Sequence, residues 1–187
     1  MKCSVFIATS SDGYIATHDG DVGWLDIAGK KGVDMGEHAD MGFFSYMASV
    51  DCLIMGRKCM EKLSSFNLTP EQWPYGDTPI FVLSRTLKDA PGNLKDKVEM
   101  CSESIPDLIS RLESQGFQHA YVDGGMIITS FLNLGLIEEM IITRAPILLG
   151  DGIPLFGKTE KHIQLENARA VAFPNDFVQL KYTVSYP

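Results

Sequence analysis

Three short stretches combine residue types that suit the binding of an anionic ligand: Gly56-Arg57-Lys58, Ser84-Arg85 and Asp123-Gly124-Gly125. Glycines between a strand and a helix let a ligand approach the backbone. The first free N–H groups of the helix, here those of Gly124, Gly125, Met126 and Ile127, then favour a negative charge such as a pyrophosphate. Arg57 and Lys58 stand in a first helical turn, where cations oppose the helix dipole unless an anion is shared there. Ser84 with Arg85 offers a hydroxyl and a guanidinium, which together satisfy several oxygens of a phosphate monoester. Any one of these stretches fits a plain turn or solvated surface charge equally well. No G-x-G-x-x-G fingerprint is present.

The elements that must position them follow from hydrophobic periodicity. Cys3–Ala8, Asp51–Met55, Pro79–Leu83, Val98–Cys101, His119–Val122 and Met140–Thr143 are short apolar or β-rich runs that read as strands. Helical spacing is expected over Glu37–Ser49, from Cys59 onward, from Ser104 to Gln115, and from Met126 to Leu134, with Gly135 as the cap. Ile163–Phe173 and Phe177–Tyr186, joined by Pro174-Asn175-Asp176, form a hairpin signal. This alternation predicts an α/β domain with a mostly parallel central sheet, helices on both faces and an antiparallel C-terminal hairpin. All three anion-binding stretches follow strands, and ligands of open α/β sheets lie beyond the carboxyl ends of the strands. The three can therefore converge on one dinucleotide carrying an extra 2′-phosphate. The Asp- and Gly-rich stretch Thr17–Gly36 reads as a long loop of the lid type, with Trp24-Leu25 as its inward anchor.

Composition bounds the function. At 187 residues, 45% hydrophobic and 21% charged, the chain is expected to be one globular domain spanning 1–187. A net charge of −8 without any basic cluster argues against nucleic acid as a partner. No apolar run reaches membrane-helix length and no secretory signal is evident, so a cytoplasmic location is expected. Cys3, Cys52, Cys59 and Cys101 form no C-x-x-C pair, and the four histidines are isolated, so no metal site is expected.

The segments Ser11–Ala16 (SDGYIA), Leu53–Arg57 (LIMGR), Val82–Thr86 (VLSRT) and Tyr121–Phe156 carry a resemblance covering nearly the whole chain. The sequence resembles the dihydrofolate reductase fold, and in particular the C-terminal reductase domain of the bifunctional riboflavin-biosynthesis deaminase/reductase and its stand-alone relatives. That resemblance implies a three-layer α/β/α reductase using NADPH. Its default reaction would be reduction of 5-amino-6-(5-phosphoribosylamino)uracil or a related pyrimidine or pteridine. Dihydrofolate reduction and a non-catalytic NADPH-binding module are the alternatives, and a homodimer is plausible.

By motif position, Gly56, Arg57, Lys58, Ser84, Arg85, Gly124, Gly125, Met126 and Ile127 match the family's cofactor-phosphate residues. Ala8 and Ile15 match positions whose backbone holds the nicotinamide carboxamide. Trp24 resembles the tryptophan of a loop that closes over the active site. Asp40 falls where folate reductases keep a buried carboxylate, Phe44 on a substrate-stacking aromatic, and Thr143 on the threonine that bonds that carboxylate. Asp123 falls on an acid at the pocket floor. Two departures stand out: Cys59 replaces a hydroxyl residue beside the pyrophosphate, and Glu37–Asp51 holds no basic residue for a substrate phosphate.

Overall fold

The computed structural model describes residues 1–187. Its elements, in chain order, are β1 (Lys2–Ser10), β2 (Tyr14–Ala16), α1 (Trp24–Ile27), α2 (Phe43–Met47), β3 (Cys52–Gly56), α3 (Arg57–Ser65), β4 (Ile80–Leu83) and β5 (Val98–Cys101). They continue with α4 (Ile105–Ser114), β6 (His119–Asp123), α5 (Gly125–Asn133), β7 (Ile137–Ala145), β8 (Ile153–Pro154), β9 (Gln164–Ala172) and β10 (Val178–Ser185). Eight strands form one sheet in the order β5-β4-β3-β6-β1-β7-β10-β9. The first six are mutually parallel, and β10 and β9 add an antiparallel edge. The expected α/β architecture is therefore the observed one.

Alternation along the strands decides which face each side chain enters. Cys52, Ile54, Val122, Val5 and Met140 point to one face, where they pack with Leu108 and Leu112 of α4 and Ile128, Phe131 and Leu132 of α5. Leu53, Met55, Tyr121, Ile80 and Val82 point to the other, against Met60 and Leu63 of α3 and Tyr46 of α2. Both faces of β3 are thus covered, which is why its five residues are all buried and read as a continuous apolar run. No helix is long and apolar enough to cross a membrane.

Two expected elements differ. The helix expected over Glu37–Ser49 is confined to Phe43–Met47, preceded by a single 3₁₀ turn at Gly36–His38. Met41 and Gly42 adopt positive φ of 50° and 85°, and two consecutive left-handed residues cannot continue a right-handed helix. The strand expected over Met140–Thr143 extends across Ile137–Ala145, because β1 and β10 pair it on both edges. The Thr17–Gly36 stretch is not wholly irregular. It carries α1, whose Trp24 packs with Ala28, Ala145, Phe173 and Phe177 in a third small core.

Phe131 is fully buried between α5 and the sheet. Phe131→Ala is expected to destabilise the fold by about 3–5 kcal/mol, read as a shift of the denaturant unfolding midpoint.

Candidate functional site

β4, β3 and β6 are adjacent and parallel, so their carboxyl ends lie side by side. This brings Ser84-Arg85, Gly56-Arg57-Lys58 and Asp123-Gly124-Gly125 to one edge of the sheet, and side-chain contacts tie the three together. Arg57 Nη1 donates to Thr86 Oγ1 at 3.3 Å, linking the ends of β3 and β4. A Cβ on Gly56 would stand 3.0 Å from Ile127 Cγ1 of α5, and one on Gly124 would overlap Cys59 Sγ of α3. Gly124 also has φ 93°, a conformation that side-chain-bearing residues rarely adopt. The glycines at 56 and 124 are thus what lets α3 and α5 start side by side.

These two helices begin without help from the chain. α4 has the ordinary arrangement, with Ser104 capping the Asp107 N–H and an acidic residue in the first turn. α3 and α5 are capped by Gly56 and Gly124, which offer no side chain, and neither first turn contains an acid. Ile128 is the first residue of α5 to donate back along the helix, to Gly124 O, so the N–H groups of Gly125, Met126 and Ile127 have no intrahelical partner. Such an edge attracts anions. Ser84 Oγ accepts from the N–H groups of Thr86 at 3.4 Å and Leu87 at 2.9 Å, which shapes the turn that carries exposed Arg85 and leaves the hydroxyl proton free to donate. Arg85 and Lys58 are exposed, and neither takes part in an ion pair, whereas Arg57 lies 3.4 Å from Glu61.

Beside this edge the sheet splits. β1 pairs β6 only over Lys2–Ser4 against His119–Tyr121, although both strands run on toward the carboxyl edge. Tyr121 Oη crosses the gap to Phe6 O at 2.8 Å. Alternate residues of a strand direct their peptide groups to the same side, so Ala8 faces the same opening as Phe6. Ile15 closes the other flank, 3.3 Å from where a Cβ on Gly125 would stand, and the carbonyls of Pro154 and Leu155 crowd that position at 2.8 Å. Asp12 holds this flank in place by accepting from the N–H groups of Leu149 and Gly150 and from Ser10 Oγ. In the sequence Asp12 stands out only as part of the Ser11–Ala16 motif.

Asp123 stands at the carboxyl end of β6, beside the split, with Cys59, Tyr75 and Tyr121 around it. Some of its surface still reaches solvent, yet burial pushes its carboxyl up to about 6, against the Gly124 N–H, which favours the carboxylate. The Cys59 thiol is pushed up to about 12, chiefly by burial and then by the nearby Asp123, so it remains a neutral thiol.

Three assignments on the substrate side, those of Asp40, Thr143 and Trp24, require correction. Asp40 is not a buried pocket carboxylate. It accepts from the Phe44 N–H at 2.8 Å and the Gly42 N–H at 3.1 Å, and these bonds hold its carboxyl below the usual range. Thr143 does not bond Asp40, because its Oγ1 accepts from Gln179 Nε2 at 2.9 Å. Phe44 is 68% exposed and packs edge-on against Phe43, which in turn meets Phe6 on β1. Trp24 is 5% exposed within the third core, as an inward anchor should be, and offers no free face to a substrate; its Nε1 has no hydrogen-bond partner. A separate hollow of about 260 Å³, lined by Leu132, Gly135, Ile163 and Tyr186, lies at the far end of α5, away from the strand carboxyl ends.

A family model described as the RibD C-terminal domain matches residues 2–179. The uncharacterised protein YwjB of Bacillus subtilis (strain 168) is 31% identical over 183 residues, 97% of each chain. A crystal structure of a Shewanella sp. PV-4 protein named for riboflavin biosynthesis is 39% identical, covers both chains completely and superposes with a TM-score of 0.86. RibD of Acinetobacter baumannii shares the fold at 16% identity and a TM-score of 0.70, this chain covering 58% of its length.

The position of Asp123 has a consequence for stability. Its folded-state pKa near 6 lies above the unfolded value of 3.8, so the unfolded chain releases this proton first as pH rises. Stability therefore falls between about pH 4 and pH 6, and the penalty is complete above pH 6. Asp123→Asn is expected to unfold at higher denaturant than the parent at pH 7.5, by on the order of 2 kcal/mol, with the difference vanishing toward pH 4.

Proposed function

The chain belongs to the RibD C-terminal domain family, and on that premise we propose that it is an NADPH-dependent reductase of a heterocyclic small molecule. The observation that carries this reading is the pair of helix starts, uncapped and free of acidic residues, set between a phosphate-type turn and a split in the sheet. The residues present fit the cofactor. The amides at the starts of α3 and α5, approached over Gly56 and Gly124, would hold the pyrophosphate. Ser84 and Arg85 would hold the 2′-phosphate, and the peptide groups of Ala8 and Ile15 the carboxamide. NADPH, when bound, supplies a hydride to the acceptor.

The chain's own contribution is position and water exclusion. Phe6, Phe43 and Tyr46 form an aromatic wall on the face of the sheet that Asp123 shares, with Phe6 4.9 Å from Tyr46 and 5.7 Å from Phe43. Such a wall suits a flat ring. Asp123 keeps its proton until about pH 6, and so can donate to a ring oxygen or nitrogen in acid and accept from one at neutral pH. The reaction proposed from the family is reduction of 5-amino-6-(5-phosphoribosylamino)uracil or a close pyrimidine relative. The dihydrofolate alternative calls for a buried carboxylate on the α2 side, and Asp40 caps the helix instead.

A fluorescence titration tests the cofactor assignment. NADPH is expected to bind at least ten times more tightly than NADH, and Arg85→Ala is expected to bring the two affinities within a few-fold of each other. Equal affinities in the parent protein contradict the 2′-phosphate site.

A further inference from the structure

A side-chain amide links the sheet to the turn before α2: Gln179, a residue of β10 with no part in the motifs above. In the strand registers Ala8 pairs Thr143, and Thr143 pairs Gln179, so the three form one transverse row across β1, β7 and β10. Gln179 Nε2 donates to Thr143 Oγ1 at 2.9 Å and to Met41 O at 3.0 Å. A backbone carbonyl can only accept, so the second bond fixes which end of the amide is nitrogen. Both bonds of the side chain leave from Nε2. Its Oε1 is thereby held in one orientation as an unengaged acceptor. The turn it clamps is the strained one, Met41 and Gly42 with positive φ, that leads into α2 and its Phe43 and Phe44 rings.

We infer that Gln179 performs the substrate-orienting role that the sequence suggested for Asp40: it seats the α2 wall and presents Oε1 to an N–H of the acceptor ring. A neutral acceptor whose amide is fixed by two donated hydrogen bonds suits a lactam or amino N–H of a pyrimidine, where a carboxylate would favour a protonated ring. This rests on the reductase reading. Thr143 becomes the group that holds Gln179 in position, and Asp40 the one that holds the turn.

The test uses Gln179→Met, which keeps the length of the side chain and removes both polar ends. With NADPH saturating and 5-amino-6-(5-phosphoribosylamino)uracil varied, KM is expected to rise at least tenfold. The kcat is expected to stay within about threefold, and the NADPH dissociation constant within twofold. The rise in KM is expected to exceed that of Asp40→Asn. A KM within threefold of the parent, a larger effect from Asp40→Asn, or a loss of NADPH affinity in step with KM overturns the inference. If the parent protein reduces no pyrimidine, the reductase reading fails separately. The Gln179 assignment is then read by calorimetric titration of the NADPH-loaded protein with 5,6-diaminouracil. Binding that weakens at least tenfold in Gln179→Met supports it, and binding that does not weaken, or is absent in the parent, overturns it.

Discussion

The candidate site depends on two helices being able to begin side by side at the ends of β3 and β6, which are hydrogen-bonded neighbours. Any side chain at 124 would overlap Cys59, and one at 56 would press on Ile127. Their absence brings two sets of unpartnered N–H groups to one place. Electrostatics then follow from the backbone alone: two positive helix ends point to one edge, and neither is neutralised by a cap or an acid. Interior packing takes part too, since Ile127 and Cys59 are partly buried residues that belong to the cores on opposite faces of the sheet. The anion-attracting edge and the core are therefore one structural unit.

Beyond that edge, the incomplete pairing of β1 with β6 converts a continuous sheet into a cleft. Pairing two residues further would give the peptide groups of β1 partners within the sheet. As it stands, Tyr121 bridges the inner part of the split, and Ala8 faces what is left. The acid that ends β6 is set apart from the other carboxylates around the site by environment. Asp12 and Asp40 accept several N–H or O–H bonds and stay ionised, whereas Asp123 is enclosed with a single backbone donor in its favour. Of these three carboxylates, only Asp123 is raised toward neutral pH.

Much of this was legible in the sequence because it depends on local chemistry. Strand runs ending in Gly, Ser-Arg or Asp-Gly-Gly gave the three junctions, and the alternation of strands and helices gave the sheet that aligns them. The α2 region was not legible. The spacing of Met41, Phe44 and Met47 looks helical, but Met41 and Gly42 turn left-handed and Asp40 caps the short helix that follows. A residue before a glycine, with a carboxylate two positions ahead of that glycine, was the available signal of a cap. Gln179 could not be found at all, because its importance comes from a strand register linking residues 41, 143 and 179 that no local pattern encodes. Trp24 was legible as an anchor but not as a core residue closed to a substrate, since the partners that bury it, Phe173 and Phe177, come from the far end of the chain.

The most direct measurement is an amide proton–nitrogen NMR titration of the protein with NADPH. The account expects the amides of Arg57, Lys58, Gly125, Met126 and Ile127 to shift together and to saturate at one cofactor per chain, with the start of α4 unmoved. Saturable shifts confined to other parts of the chain, or none at all, would contradict the claim that the paired helix starts form the cofactor site.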